Sequence, residues 1–124
     1  MIIAIPYEIP SQNVTARRHW RANHRDVALV AQMVRLYGWQ ACNAKGPRTV
    51  KVTSYRTRRI TDTPNLIGGA KSFCDGLVRA GALTDDNDRA ASFTFEQFTL
   101  GQMPDELREK FRGRPCTAIE ITDS

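Results

Sequence analysis

Aspartates at positions 62, 75, 85, 86 and 88, with Lys71 set among them, are the residues of this chain whose types and order could do chemistry. Carboxylates far apart in sequence but brought together in space commonly hold a divalent cation such as magnesium, with water filling the rest of its shell. A lysine beside them stabilises charge on a phosphate or orients an attacking water. Phosphodiester cleavage needs those parts: a nucleophilic water, a neutralised phosphate and help for the leaving oxygen. Asp62 and Asp86, supported by Lys71, are the candidates. The series is not specific by composition alone, because Asp85-Asp86-Asn87-Asp88 also reads as a plain polar turn.

The elements that must position these groups are legible. Thr49 to Thr57 alternates as a strand, with Val50 and Val52 on one face and Lys51, Thr53 and Tyr55 on the other. Arg56, Arg58 and Arg59 load its far end with positive charge, at the entrance to the acidic stretch. A helix over 65–80 follows, its apolar face made by Leu66, Ala70, Phe73, Leu77 and Ala80. Pro64 suits its start and Gly81 the residue just past its end. Asp62 therefore falls at the helix entrance and Asp86 in the turn beyond its end. Gly68-Gly69 costs helix stability, roughly 1 kcal/mol per glycine. These glycines admit a close partner, either a packed helix or a phosphate.

The remaining chain completes a small sheet. Residues 2–5 are apolar and β-branched, and Pro6 and Pro10 stop that strand. Arg17, Arg18, Arg21, His24 and Arg25 surround Trp20, a mixture that serves equally as a base-stacking basic segment or as a solvated helix start. His19 and His24 are five apart, which does not put them on one helical face as a metal pair. Asn23 is a plausible N-cap for a helix of about five turns. Its apolar face is Val27, Val30, Val34, Tyr37 and Ala41, with Trp39 off that face, on a second surface or a subunit contact. Gly46 and Pro47 end it. Ala91 to Leu100 reads as a strand with Phe93 and Phe95 facing opposite to Phe98; Pro104 to Phe111 as a short helix; and Cys116 to Thr122 as a last strand with Ile119 and Ile121 inward. The expected fold is α+β: a small mixed β-sheet with two main helices packed on one side, in the order β-α-β-α-β-(α)-β, all in one domain spanning 1–124.

Composition excludes several classes. No apolar run approaches the roughly 20 residues of a membrane span, and the opening residues lack the form of a signal peptide, so the chain reads as cytoplasmic with no membrane partner. Cys42, Cys74 and Cys116 are odd in number and widely spaced, which argues for buried reduced thiols rather than a zinc or redox pair. There is no Gly-x-Ser-x-Gly elbow and no phosphate-binding Gly-x-x-x-x-Gly-Lys-Ser/Thr loop. Charge is divided unevenly. Residues 1–60 hold eleven Lys/Arg against two acids, a balance of +9, and residues 61–124 hold seven against eleven, a balance of −4. Cations for phosphates joined to carboxylates for a metal is one reading of that split, and an uneven solvated surface is the other.

The order of motifs is more specific than their composition. Asp62-Thr63-Pro64-Asn65-Leu66, then Lys71, then Asp75-Gly76-Leu77-Val78-Arg79-Ala80-Gly81, then Asp85-Asp86 resembles the RusA family of Holliday-junction resolvases, especially its phage and prophage members. Ile5-Pro6 with Pro10-Ser11-Gln12-Asn13 is similar to that family's opening motif, and the likeness runs from Ile5 to about Asp88. The resemblance implies a homodimeric, Mg2+-dependent endodeoxyribonuclease that binds branched DNA and nicks four-way junctions in recombination and repair. It implies catalytic roles for Asp62, Lys71 and Asp86, and metal ligation by Asp62 and Asp86. Arg17, Arg18, Arg21, Arg58, Arg59 and Lys71 are the expected DNA contacts. Pro64 departs from the pattern: the family has a metal-binding aspartate there, and proline offers no side-chain oxygen. Asp85 is the substitute ligand expected in its place, with Asp88 as another. Two alternatives stay open: a weakened or inactive relative that binds branched DNA, and a small DNA-binding regulator, although no helix-turn-helix pattern supports the latter.

Overall fold

The structure is a computed structural model that describes residues 1–10, 20–58 and 69–124. Strand β1 (Ile2–Ile5) leads to helix α1 (Trp20–Gly38), which closes in a 3-10 turn at Trp39–Ala41. Strand β2 (Arg48–Arg56), helix α2 (Lys71–Ala80) and strand β3 (Ala91–Thr99) follow. A second 3-10 turn at Leu100–Gln102, helix α3 (Asp105–Phe111) and strand β4 (Cys116–Asp123) complete the chain. The architecture is α+β, with four strands in the order β1-β4-β2-β3.

Strands β2 and β3 run parallel, Val50 opposite Phe93 and Val52 opposite Phe95, whereas β4 is antiparallel to both β1 and β2. A parallel neighbour needs a long crossover. Here that crossover contains α2, and it carries Lys71, Asp75 and Asp86.

Period-two alternation decides which face each strand residue takes. Ile3 and Ile5, Val50 and Val52, and Ile119 and Ile121 all point to one side. They meet Val30, Ala31 and Val34 of α1 and Phe73 and Leu77 of α2 in the main core. Both main helices thus pack on one face of the sheet, as their apolar stripes require. The opposite face carries a smaller cluster under α3, built on Ala4, Tyr55, Met103, Phe111 and Cys116.

The two helices touch where Gly76 faces Val30. A Cβ at Gly76 would lie 2.5 Å from Val30 Cγ1 and 3.2 Å from the Val27 carbonyl oxygen, so hydrogen at that position is what permits the approach. Gly81, at φ 87°, ends α2 in the left-handed region, and its N–H returns to the carbonyls of Leu77 and Val78.

Two expectations for α1 change. The helix already includes Trp20, so Asn23 lies within it and is not its N-cap. Tyr37 lies on the rim of the apolar stripe, since a 3.6-residue period carries it away from the stripe's centre. It is 38% exposed and meets Phe111 edge-on at 5.9 Å, and Gly38 takes the core position instead. Trp39 stands off the core face, 69% exposed. The helix expected over 65–80 is not continuous: Ala70 sits in a turn as the N-cap and α2 begins only at Lys71, while the part before residue 69 lies outside the described residues, as does the Arg17–His19 segment. All three cysteines are free, Cys74 and Cys116 buried and Cys42 half-buried. No helix among the described residues is long and apolar enough to cross a membrane.

Candidate active site

Helix α2 is amphipathic. Phe73, Cys74, Leu77 and Ala80 are buried, which leaves Lys71 and Asp75, one turn apart, on its outer face. Lys71 Nζ donates to Asp75 Oδ1 at 2.9 Å and to Asp86 Oδ2 at 2.7 Å. Asp86 comes from the turn between α2 and β3, and its place is set by local side-chain bonds. The Asp86 N–H donates to Asp85 Oδ1 at 2.7 Å, and Asn87 Nδ2 donates to Asp85 Oδ2 at 3.1 Å. Asn87 Oδ1 in turn accepts from the N–H groups of Arg89 and Ala90. Asp and Asn side chains capture nearby backbone donors in this way, which makes such a run a well-defined turn. The polar-turn reading and the site reading of 85–88 therefore hold together: the turn is the scaffold that presents Asp86.

Lys71, Cys74, Asp86, Asp88, Ser92, Phe93 and Phe95 line an open cleft of about 620 Å³. Its wall is apolar because Phe93 and Phe95 stack on each other, 5.7 Å between centroids, on the edge strand β3.

Charge in the cleft follows from the ion pairs. The hydrogen bond from Lys71 is the main cause holding the Asp86 carboxyl below its usual pKa. The bonds to Asp86 and then Asp75 raise the Lys71 ammonium well above its ordinary value. Lys71 is thus a permanent cation at neutral pH, suited to electrostatic stabilisation and not to proton abstraction. Cys74, on the cleft floor, is pushed up to about 12, by burial first and then by the charges of Asp75 and Asp86. A thiol held protonated in this way is no nucleophile.

The sequence-predicted residues divide into four groups. Lys71 and Asp86 come together. Asp85 adjoins Asp86 but spends its oxygens within the turn, and it lines a separate hollow with Gly46, Pro47, Thr84, Asn87 and Arg89. Asp62, Arg17, Arg18 and Arg59 lie outside the described residues, together with Pro64. Arg21, near the start of α1, and Arg58, just past β2, are exposed.

For a magnesium ion, the donor chemistry among the described residues is the Asp86 carboxylate, which opens on the cleft and already binds one positive group, the Lys71 ammonium that Asp75 holds from the helix. Among the described residues no three His, Cys, Asp or Glu side chains gather as a metal-holding group; Asp62 lies outside them.

Two arginines counted as surface charge are interior. Arg48, 4% exposed, donates to the carbonyls of Ala41 and Ala82, to Asn43 Oδ1 and to Asp123. Arg56, 6% exposed, donates to the carbonyls of Ile9 and Arg58. Strand parity was the available signal, since 48 and 56 share the inward face with Val50 and Val52. Phe93 and Phe95 were expected on one face, but their place as a cleft wall depends on β3 lying at the sheet edge.

A scan against protein-family models finds no match, and a search of curated proteins finds none either.

Proposed function

We propose that this chain is a magnesium-dependent endonuclease acting on branched DNA, with Asp62, Asp86 and Lys71 as its working groups. The observation that carries the reading is the Lys71 ammonium bound by Asp75 and Asp86 at 2.9 and 2.7 Å on the rim of an open cleft. The RusA-like order of motifs places the same lysine and aspartate in these roles. Asp62 and Asp86 would hold the metal, which supplies charge neutralisation at the phosphate and a more acidic bound water. Lys71 lends a fixed positive charge to the phosphate as negative charge builds on it. Arg21 and Arg58, both exposed, supply further contacts to the DNA backbone. A homodimer gives the two sites that symmetric nicking requires.

A second reading, a junction binder that does not cut, is favoured by one specific observation. Proline stands at the position of a family ligand, and Asp85, the substitute expected in its place, has both oxygens engaged in its own turn.

A labelled four-way junction incubated with the protein and magnesium distinguishes the two. The enzyme reading expects nicks, loss of cutting with retained binding in Asp86→Asn, and a fall of about 10²–10³ in turnover for Lys71→Gln. Binding without cutting by both the parent and Asp86→Asn leaves the binder. Pro64→Asp is expected to raise metal affinity or cutting, and no change would mean that the metal site is built differently.

A further inference from the structure

Lys71 stands at the point where Asp75 and Asp86 converge, the place at which a cation satisfies both carboxylates. Its side chain is 68% exposed, on a flexible four-carbon stem, whereas Asp86 is 30% exposed and fixed by the Asp85–Asn87 turn. The two acids hold Lys71 differently. Asp75 is on the same helix one turn away, so the helix itself keeps the two side chains within reach of each other. Asp86 comes from the turn beyond the helix, and that contact can open while the Asp75 contact stays closed.

We propose that Lys71 is a built-in counter-ion which competes with the divalent metal for Asp86, and that Asp75 is a positioning residue which retains the ammonium when the metal takes Asp86. The inference rests on the metal-dependent reading above. It assigns Asp75 a role, and it explains how one lysine serves two states. Before metal binding, Lys71 neutralises Asp86. Afterwards it remains tethered to Asp75 at the cleft rim, where a phosphate can meet it. Such an exchange needs no large motion, because only one of two hydrogen bonds is given up.

The test is Mn2+ binding, followed by the electron paramagnetic resonance signal of the free ion, so that it does not depend on cutting. The parent, Lys71→Gln, Asp75→Asn and the double variant are compared, each shown to be folded by circular dichroism. Lys71→Gln is expected to bind Mn2+ about threefold to fivefold more tightly, the scale set by an exposed ion pair. Asp75→Asn is expected to bind roughly twofold more weakly, because Lys71 then has only Asp86 to hold it. That loss should shrink in the Lys71→Gln background, where Asp75 has nothing to retain. Lys71→Gln binding no more tightly than the parent overturns the competition. An Asp75→Asn loss of equal size in both backgrounds marks a simple charge effect, and a larger one in the double variant marks Asp75 as a direct ligand; either overturns the positioning role. A parent that takes up no Mn2+ removes the metal reading and this inference with it, whereas a parent that binds without tightening in Lys71→Gln removes this inference alone.

Discussion

Replacing Arg48 by Met tests whether the basic half of the chain is all available to a polyanion. Methionine keeps much of the stem's apolar packing and removes every donor. Two of the lost bonds reach the buried carbonyls of Ala41 and Ala82, which then have no replacement donor of similar reach. An unsatisfied buried polar group costs about 1–3 kcal/mol, so the pair costs about 2–6 kcal/mol. Asn43 and Asp123 are exposed and turn to water at little cost. Burial of the guanidinium is itself unfavourable, and its removal offsets part of the loss. The net expectation is about 2–4 kcal/mol, a large part of a small domain's stability of about 5–15 kcal/mol. With a urea slope of about 1.5 kcal/mol per M, the unfolding midpoint falls by roughly 2 M. If the chain binds DNA as proposed, the salt dependence of that binding should stay the same at temperatures where the variant is folded, because Arg48 is buried. A midpoint shift below about 0.5 M, or a shallower salt slope with full stability, would refute the assignment of Arg48 as an interior staple.

Gly76→Ala forces a Cβ to within 2.5 Å of Val30 Cγ1, with the Val27 backbone close behind. Overpacking of about 1–3 kcal/mol outweighs the gain in helix propensity of about 1 kcal/mol, and a lower melting temperature checks it. Arg21→Gln and Arg58→Gln should each reduce the slope of log affinity against log salt by about 1 on junction DNA, and an unchanged slope removes that residue from the interface. The Asp86 carboxyl is held below its ordinary value of 3.8, mainly by Lys71. A lowered folded-state pKa gives stability that is present above the unfolded value and is lost as pH falls through the folded one. The melting temperature of the parent should therefore fall with acid below about pH 4 more steeply than that of Asp86→Asn, and parallel curves would contradict the pairing.

Much of the fold was legible because its periods are strong. The alternation in 49–57 and 116–122 put Val50, Val52, Ile119 and Ile121 inward, and all are buried at 1% exposure or less. Phe73, Leu77 and Gly81 marked the face and the end of α2 correctly. The start of α1 was less legible, since a capping residue such as Asn23 is also tolerated inside a helix when neighbours compensate. Gly76 carried no local sign of its role, because close approach is a property of the pair it makes with Val30.

By itself the sequence determined the elements, the inward face of each strand, and the order acid, lysine, acid, acid along the chain, because these depend on local period and residue type. The tertiary structure decided what no local rule contains. It paired β2 in parallel with β3, which makes the intervening segment a crossover and delivers Asp86 to Lys71 from the turn beyond its helix. It drew Asp85 into the turn's own hydrogen bonds, and it took Arg48 and Arg56 out of the surface charge. Each of these outcomes rests on which partners share a small space, and two sequence neighbours as alike as Asp85 and Asp86 are separated only there.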